Sequence, residues 1–231
     1  MDFRDRHVVV TGGTGALGAA VVEALLDRGA TCNIPTRGGE ATDNFSFAKH
    51  ERVKLYPAVD LADQDQTDLF YSKVGTLWAS IHIAGGFAAK RLKDSGKSDL
   101  MAQLDTNIVS CFLCCRAALK AFGADGGRIV NVAARPALEP RTGAGMTAYT
   151  IAKSGVAALT MALAEEVAKD GVLVNAVAPS IMDTPANRRA MPKADHALWP
   201  KVEQVAATIL FLASPENTVT RGGIVPVYGR S

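Results

Sequence analysis

The chain has 231 residues, of which 48% are hydrophobic and 21% charged, a composition that suits one large α/β domain or two small ones. Its formal net charge of +2 and its scattered basic residues argue against binding to nucleic acid or to a membrane surface. No apolar stretch approaches the roughly 18 residues that a bilayer crossing needs, and the first residues fit a β-strand better than a secretory signal. We therefore expect a cytoplasmic protein.

Short apolar runs alternate with longer segments of helical periodicity along the chain. The predicted strands are Val8–Val10, Thr31–Ile34, Lys54–Ala58, Leu77–Ile83, Arg128–Val132, Val172–Val177 and Ile224–Val227. The predicted helices are Leu17–Leu26, Leu104–Phe122, Tyr149–Val167 and Val202–Leu212. This alternation predicts an α/β fold: a doubly wound parallel sheet of about seven strands with helices on both faces. No linker or repeat interrupts the pattern, so residues 1–231 are predicted to form a single domain.

Two stretches are less regular than the rest. The first is Arg37–His50, between early strands, and the second is the proline-containing segment 180–200, which follows the sixth strand. Long loops in compact domains are usually functional, and ligands bind outside the carboxyl ends of parallel strands. We therefore expect the segment 180–200 to act as a substrate lid.

A glycine-rich turn, Thr11-Gly12-Gly13-Thr14-Gly15-Ala16-Leu17-Gly18, joins the first predicted strand to the first helix. Residues without a Cβ let backbone N–H groups approach a pyrophosphate, and the helix N-terminus adds unpaired donors and a positive dipole end. In this strand–turn–helix context the pattern predicts a dinucleotide site and a Rossmann-type sheet.

This turn resembles the T-G-x-x-x-[AG]-x-G pattern of the short-chain dehydrogenase/reductase family, and the resemblance extends over essentially the whole chain. It implies an NAD(P)-dependent oxidoreductase that transfers hydride between nicotinamide and a small-molecule substrate. Asp60 matches the aspartate that holds the adenine ring, Pro179 lies in the segment leading to the nicotinamide, and Thr184 matches a threonine on its carboxamide. The implied cofactor-binding residues are Thr11, Gly12, Thr14, Ala16, Leu17, Gly18, Thr36, Arg37, Asp60, Leu61, Ala84, Gly85, Pro179 and Thr184.

Tyr149 and Lys153 are four residues apart on a predicted helix and so share one face. A tyrosine hydroxyl has an ordinary pKa near 10, and a neighbouring ammonium is expected to lower it toward the range of a useful acid or base. The segment matches the family's Y-x-x-x-K motif, which implies Tyr149 as the acid/base and Lys153 as its assistant. Asn107 matches the family's structural and proton-relay asparagine. These three residues are the implied catalytic set.

The end of the second strand bears on the choice of coenzyme. An acidic side chain there hydrogen-bonds a ribose 2′-OH, whereas a basic one accommodates a 2′-phosphate. Thr36 occupies the usual acidic place and Arg37 follows it, which favours NADP(H) over NAD(H). Thr14 stands where many NADP-preferring relatives carry a further basic residue, and Arg37 as a solvent-facing loop charge is the alternative.

The sequence departs from the family pattern after the fifth strand. The serine that orients the substrate carbonyl in relatives is replaced at both candidate positions, Ala133 and Ala134. One alternative is that the hydroxyl of Ser180, Thr142 or Thr147, or a water, takes the place of the serine. The other is that the substrate needs no such hydrogen-bond donor. Dihydropteridine reductases, a branch that lacks this serine, reduce a quinonoid ring, which suggests a quinonoid or imine-like substrate as well as a carbonyl or alcohol. The alternative is a catalytically degenerate relative that acts as a dinucleotide sensor or structural protein.

Cysteine and histidine usage predicts no metal site. Cys111, Cys114 and Cys115 lie in an apolar helical segment without a second Cys/His pair at ligand spacing, so we interpret them as small buried side chains. His82 is either a pocket residue or a satisfied core histidine. The predicted helices that contain Cys111 and Tyr149 are apolar over much of their surfaces, and the family resemblance implies a homodimer or homotetramer through them.

Overall fold

A computed structural model describes residues 1–38 and 45–231 of the chain. Its strands are β1 (His7–Thr11), β2 (Thr31–Pro35), β3 (Val53–Tyr56), β4 (Leu77–His82), β5 (Gly127–Val132), β6 (Val172–Pro179) and β7 (Ile224–Val227). Within the described residues these seven strands form one sheet in the order β3–β2–β1–β4–β5–β6–β7, and each neighbouring pair is parallel. The predicted doubly wound parallel sheet is confirmed. Its strand order reverses between β1 and β4, where a crevice opens beyond the carboxyl ends of the strands.

Helices cover both faces of the sheet. They are α1 (Ala16–Leu26), α2 (Gln64–Ser72), α3 (Lys97–Leu104), α4 (Ser110–Ala121), α5 (Arg135–Leu138), α6 (Thr147–Glu166), α7 (Pro185–Ala190) and α8 (Val202–Ala213). A π-helical turn, Asp105–Val109, connects α3 to α4. The prediction of one helix from Leu104 to Phe122 therefore missed α3 and the change of pitch. Sequence periodicity also missed α2, because both α2 and α3 bury too few apolar residues to give a clear stripe.

The core has two layers because successive side chains of a strand point to opposite faces. Val8 and Val10 of β1 pack with α1 and α8 on one face of the sheet. Val9 packs with α2, α4 and α6 on the other face. Both faces are thus buried, and the exposed edge at the carboxyl ends of the strands is left for a ligand.

The structure shows where the third strand ends and how much of the two irregular stretches it describes. The third strand ends at Tyr56 rather than Ala58, because Ala58 adopts a positive φ of 58° that stops the extended backbone. Of the irregular stretch 37–50, residues 39–44 lie outside the described part of the chain. The predicted lid segment contains α7, and its two ends meet where the Asp183 N–H donates to the Pro200 carbonyl (2.9 Å). Within residues 1–38 and 45–231, no helix has the length and apolarity needed to cross a bilayer.

Candidate active site

The turn between β1 and α1 has the geometry of a phosphate cradle. Gly12 has φ +67°, and a Cβ there would lie 2.8 Å from the Ala84 nitrogen; a Cβ on Gly18 would collide with the Gly12 carbonyl oxygen. Gly15 caps α1 without any side-chain hydrogen bond to the first-turn N–H groups. Those N–H groups, at the positive end of the helix, suit an anionic ligand such as a pyrophosphate. The residues of the turn therefore fit a dinucleotide.

The two strands that flank the switch point are tied together at this turn. The Ala84 N–H donates to the Thr11 hydroxyl oxygen (3.1 Å), and the Ile83 N–H donates to the Thr11 carbonyl (3.3 Å). Thr11 is fully buried, so this residue holds the ends of β1 and β4 in register rather than facing a ligand with its side chain.

The ends of β2 and β3 bring together the residues predicted to contact the adenosine. The Thr36 N–H donates to the Tyr56 carbonyl (2.8 Å), and the Thr36 hydroxyl is buried with no hydrogen-bond partner among the described residues. Arg37 is 73% exposed, and its guanidinium lies 4.0 Å from the Asp60 carboxylate. Asp60 also accepts the Ala62 N–H (3.0 Å). Arg37 and Asp60 are thus neighbours at an open edge of the sheet.

A cavity of about 670 Å³ lies at the carboxyl ends of the central strands and is lined by Asn107, Tyr149 and Lys153. The three predicted catalytic side chains therefore reach one space from two separate segments, the π-turn and α6. The Lys153 ammonium lies 6.0 Å from the centre of the Tyr149 ring and donates to the Val132 carbonyl of β5 (2.8 Å). Gly85 forms a neighbouring part of the wall, where a Cβ would lie 3.3 Å from the ammonium nitrogen.

Burial sets the proton affinities of Tyr149 and Lys153. Burial raises the pKa of Tyr149 to about 12, because the phenolate would lose its hydration. It lowers the pKa of Lys153 to about 8, while the nearby Cys111 thiol acts in the opposite direction. The expected lowering of the tyrosine pKa by the ammonium is not present in this arrangement, because the phenol is desolvated and the two groups do not bond directly.

Asn107 is a fixed part of the cavity wall. It is buried in the π-turn, donates to the carbonyls of Gly86 and Gln103 (3.0 Å each), and accepts the Gly86 N–H (3.2 Å). The extra residue of a π-turn moves carbonyl groups out of the regular helical ladder, a distortion frequent at functional sites. Here it couples the helix to the Gly85-Gly86 segment after β4.

Ala133 and Ala134, the two positions at which the family resemblance implies a serine, both line the cavity and are buried. Two of the proposed substitute hydroxyls also line it but are already engaged. Ser180 donates to the Tyr228 carbonyl (3.0 Å), and Thr142 donates to the Glu139 carbonyl (2.8 Å). Neither of these two hydroxyl protons is directed to a substrate in this arrangement.

The sequence reasoning missed the apolar wall of the cavity. Phe87 packs edge-on against the Tyr149 ring with centroids 5.1 Å apart, although no motif marks it. Further apolar lining comes from Met146, Ile181, Met182 and Met191, three of which belong to the predicted lid segment. Thr184, predicted to contact the nicotinamide carboxamide, caps α7 by accepting the Asn187 N–H (3.2 Å).

The fold and the glycine turn together define a Rossmann-type α/β protein. The family model described as short chain dehydrogenase matches residues 6–195. The 3beta-hydroxysteroid dehydrogenase of Mediterraneibacter gnavus is 28% identical over 98% of this chain and 95% of that protein. The cis-4-hydroxycyclohexanecarboxylate dehydrogenase of Sinomonas cyclohexanicum is 31% identical over 98% of this chain and 96% of its own length. A solved structure of ElxO with NADP bound superposes with a TM-score of 0.88 at 24% identity, covering 97% of both chains. The chain belongs to the short-chain dehydrogenase family.

Proposed function

We propose that this chain is an NAD(P)-dependent oxidoreductase with Tyr149 as its acid/base, Lys153 as its assistant and Asn107 as a structural support. The observation that carries the proposal is the meeting of these three side chains in one cavity beside a glycine turn whose close packing leaves no room for side chains at Gly12 and Gly18. The bound nicotinamide would supply or accept the hydride. The chain itself must bind and orient the two reactants and move one proton.

The cofactor is proposed to lie across the switch point of the sheet. The turn residues from Gly12 to Gly18 would hold the pyrophosphate, with Thr11 anchoring the turn to Ala84. Thr36, Arg37, Asp60 and Leu61 would hold the adenosine. The exposed guanidinium of Arg37 supports NADP(H) over NAD(H), because it follows the end of β2, where a basic side chain accommodates a 2′-phosphate. ElxO, a neighbour in fold, binds NADP, which is consistent with this preference. Ala84, Gly85, Pro179 and Thr184 would border the nicotinamide.

Proton transfer is proposed to run through the Tyr149 hydroxyl. With a pKa of about 12 this phenol is protonated at neutral pH, so its resting role is to donate a proton to the oxygen or nitrogen being reduced. The Lys153 ammonium remains mostly charged at neutral pH. Because it does not lower the pKa of the phenol, its proposed assistance is to hold the ribose hydroxyls of the coenzyme. The carbonyl of Val132 holds that ammonium in place.

The cavity favours a small, largely apolar substrate. Phe87, Met146 and Met191 supply an aromatic and flexible thioether lining. Arg135, a cation on the wall, is already paired with Glu139 (2.9 Å), so it offers little to an acidic substrate. Because Ala133 and Ala134 give no hydroxyl, the proposed substrates include quinonoid and imine-like rings, as well as carbonyls and alcohols.

Steady-state turnover tests the proposal directly. The purified chain is mixed with NADPH or NADH and a panel of quinonoid, imine and ketone acceptors, and coenzyme oxidation is followed by absorbance. We expect turnover, with a higher kcat/KM for NADPH. Saturable coenzyme binding without turnover of any acceptor would instead favour a dinucleotide sensor, the function that the missing serine suggests.

A serine introduced at Ala134 tests the substrate class. Ala134→Ser adds a hydroxyl at the cavity wall, and a positioned donor of this kind contributes on the order of a hundredfold or more to carbonyl reduction. We expect kcat/KM to rise for ketones and to stay unchanged for quinonoid acceptors. Ala133→Ser tests the other candidate position in the same assay. An equal effect on both acceptor classes would contradict the substrate argument.

A further inference from the structure

A buried polar cluster lies behind the catalytic cavity, where α4 packs on β4 and β5. Cys111 and Cys115 face the sheet from adjacent turns of α4, and His82 and Asn131 face them from the two strands. All four side chains are 5% exposed or less. The imidazole and the two sulfurs each offer one metal-ligand atom, and these three atoms lie within 4.8 Å of one another. Their spacing along the chain hid this grouping, because His82 comes from a different element.

Three distances within the cluster match those of a tetrahedral cage, and the two cysteine sulfurs lie within 4.8 Å of each other. His82 Nδ1 lies 3.5 Å from Cys115 Sγ, and Asn131 Oδ1 lies 3.3 Å from Cys111 Sγ and 3.6 Å from Cys115 Sγ. A tetrahedral zinc centre with ordinary bond lengths spaces its ligand atoms about 3.3 to 3.8 Å apart. A fourth distance, 2.8 Å between His82 Nδ1 and Asn131 Oδ1, is a hydrogen bond that must lengthen by about half an ångström.

Hydrogen bonds to residues outside the cluster orient the metal-ligand atoms of Asn131 and His82 toward its centre. Thr160 donates its hydroxyl proton to the Val156 carbonyl (2.8 Å), so its oxygen can only accept from the Asn131 amide (2.9 Å). The Asn131 amide nitrogen therefore points at Thr160 and its oxygen at the thiols. That oxygen has two lone pairs but three potential donors around it, namely both thiols and the imidazole. The opposite nitrogen of His82 lies 2.8 Å from the Ser80 hydroxyl.

We propose that His82, Cys111, Cys115 and the Asn131 amide oxygen bind one Zn²⁺ ion. Two Zn–S bonds form as the two thiols release their protons, and the Nδ1 lone pair of neutral His82 forms a third bond. The remaining ring proton sits on Nε2 and donates to Ser80, the outer-shell arrangement common for metal-bound histidines. A divalent ion with two thiolates forms a neutral centre, whereas a monovalent copper ion would leave a buried negative charge.

The zinc ion would have a structural role rather than a catalytic one. With four protein ligands it has no open position for a substrate, as in structural zinc sites. It would join α4 to the carboxyl ends of β4 and β5. Asn131 immediately precedes Val132, whose carbonyl holds the Lys153 ammonium, so the ion would stiffen the wall that positions the catalytic pair.

Metal content tests the proposal. The full chain is expressed in zinc-supplemented medium, so that the buried ligands meet the metal during folding, and is purified under reducing conditions and desalted. Mass spectrometry of the metals should find about one zinc per chain. The double variant C111S/C115S should retain none above the blank. Cys114→Ser makes the same chemical change on the same buried helix but outside the cage, so it should retain the wild-type zinc content.

A spectroscopic arm keeps the test independent of how the variants fold. Wild-type chain expressed with Co²⁺ in place of zinc should show thiolate-to-cobalt charge-transfer absorption and the strong d–d bands of a tetrahedral centre. Absence of these bands from folded wild-type chain, or a wild type without bound zinc, would overturn the proposal. It would also be overturned if C114S lost as much zinc as the double variant.

Discussion

At the residue scale, the proton of Tyr149 is the feature on which the proposed chemistry depends. Tyr149→Phe removes the hydroxyl and keeps the ring that packs against Phe87. General acid catalysis contributes about 10² to 10⁴ in rate, so we expect kcat to fall by that factor while coenzyme affinity is retained. Steady-state kinetics and coenzyme fluorescence titration measure the two effects separately.

A tyrosine outside the cavity provides the control for that substitution. Tyr56→Phe removes a hydroxyl that donates to Asn33 (3.1 Å) on the neighbouring strand β2. We expect it to leave kcat close to that of the wild type. If Tyr149→Phe retained full kcat with every acceptor, the assignment of the acid/base would be wrong.

The lowered pKa of Lys153 predicts that the free energy of unfolding depends on pH, and the direction of the shift gives the sign of that dependence. Burial lowers this pKa from 10.5 to about 8, so between these values the unfolded chain binds a proton that the native chain has released. Stability therefore rises with pH across that window, by about 3 kcal/mol at about 1.4 kcal/mol per pKa unit. Lys153→Met removes this contribution.

Urea unfolding at pH 7 and pH 10 of wild type and Lys153→Met measures that dependence. The two proteins have all other titrating groups in common. We therefore expect the free energy of unfolding of the wild type to increase relative to that of the variant between pH 7 and pH 10. Parallel pH profiles for the two proteins would contradict the assigned desolvation of Lys153. The kcat of the Lys153→Met variant should also be lower than that of the wild type, because the assistance of Lys153 is lost.

The sequence placed Tyr149, Lys153 and Asn107 in one site but could not give their environment. Spacing on a helix determines that Tyr149 and Lys153 share a face, and the structure brings both into the cavity with Asn107. The pKa of Tyr149 depends on desolvation by residues distant in the chain, and so does the contact with Phe87. The grouping of His82 with two cysteines of α4 likewise requires the packing of a helix on two strands.

At the element scale, the turn between β1 and α1 tolerates no side chain at Gly18. A Cβ there would collide with the Gly12 carbonyl oxygen, so Gly18→Ala must displace the turn from the start of α1. We expect coenzyme affinity to fall by roughly tenfold or more, since a strained cradle no longer presents its N–H groups to the pyrophosphate, and thermal stability to fall as well. Isothermal titration and thermal unfolding measure these losses.

Gly96→Ala is the matched control for this change. Gly96 also precedes a helix, α3, but has no atom within 4 Å of an added Cβ and a negative φ of −114°. We expect coenzyme affinity to remain unchanged and stability to fall by about 1 kcal/mol or less, since alanine is a poorer N-cap than glycine. Equal losses in both variants would indicate a general helix-capping effect rather than a specific phosphate cradle.

Elements were predictable where burial leaves a periodic signal. The strands of the central sheet and the long helices α1, α6 and α8 were predicted because they bury continuous runs or wide stripes. Helix α3 buries Gln103 as its sole buried residue, so its sequence carries no such signal. The π-turn depends on the side-chain hydrogen bonds of Asn107, which no propensity scale contains.

At the scale of the whole molecule, the outer faces of α4 and α6 carry large apolar side chains. Phe112, Ile151 and Met161 are 52%, 49% and 50% exposed, although the opposite faces of the same helices are packed on the sheet. Apolar surface of this kind on adjacent helices is typical of an interface, and symmetric homo-oligomers are the usual assembly. Assembly into a homodimer or homotetramer through these two helices is therefore a prediction for solution measurement.

Size-exclusion chromatography with light scattering tests that assembly. We expect a dimer or tetramer for the wild type and a shift toward monomer for the double variant Phe112→Glu/Met161→Glu, because the buried charges would repel across a symmetric interface and lose hydration. Val219→Glu is the control, since Val219 is 82% exposed and lies in the loop between α8 and β7, outside both helices. A wild type that is monomeric at micromolar concentrations, or a control that dissociates as fully as the double variant, would place the interface elsewhere or remove it.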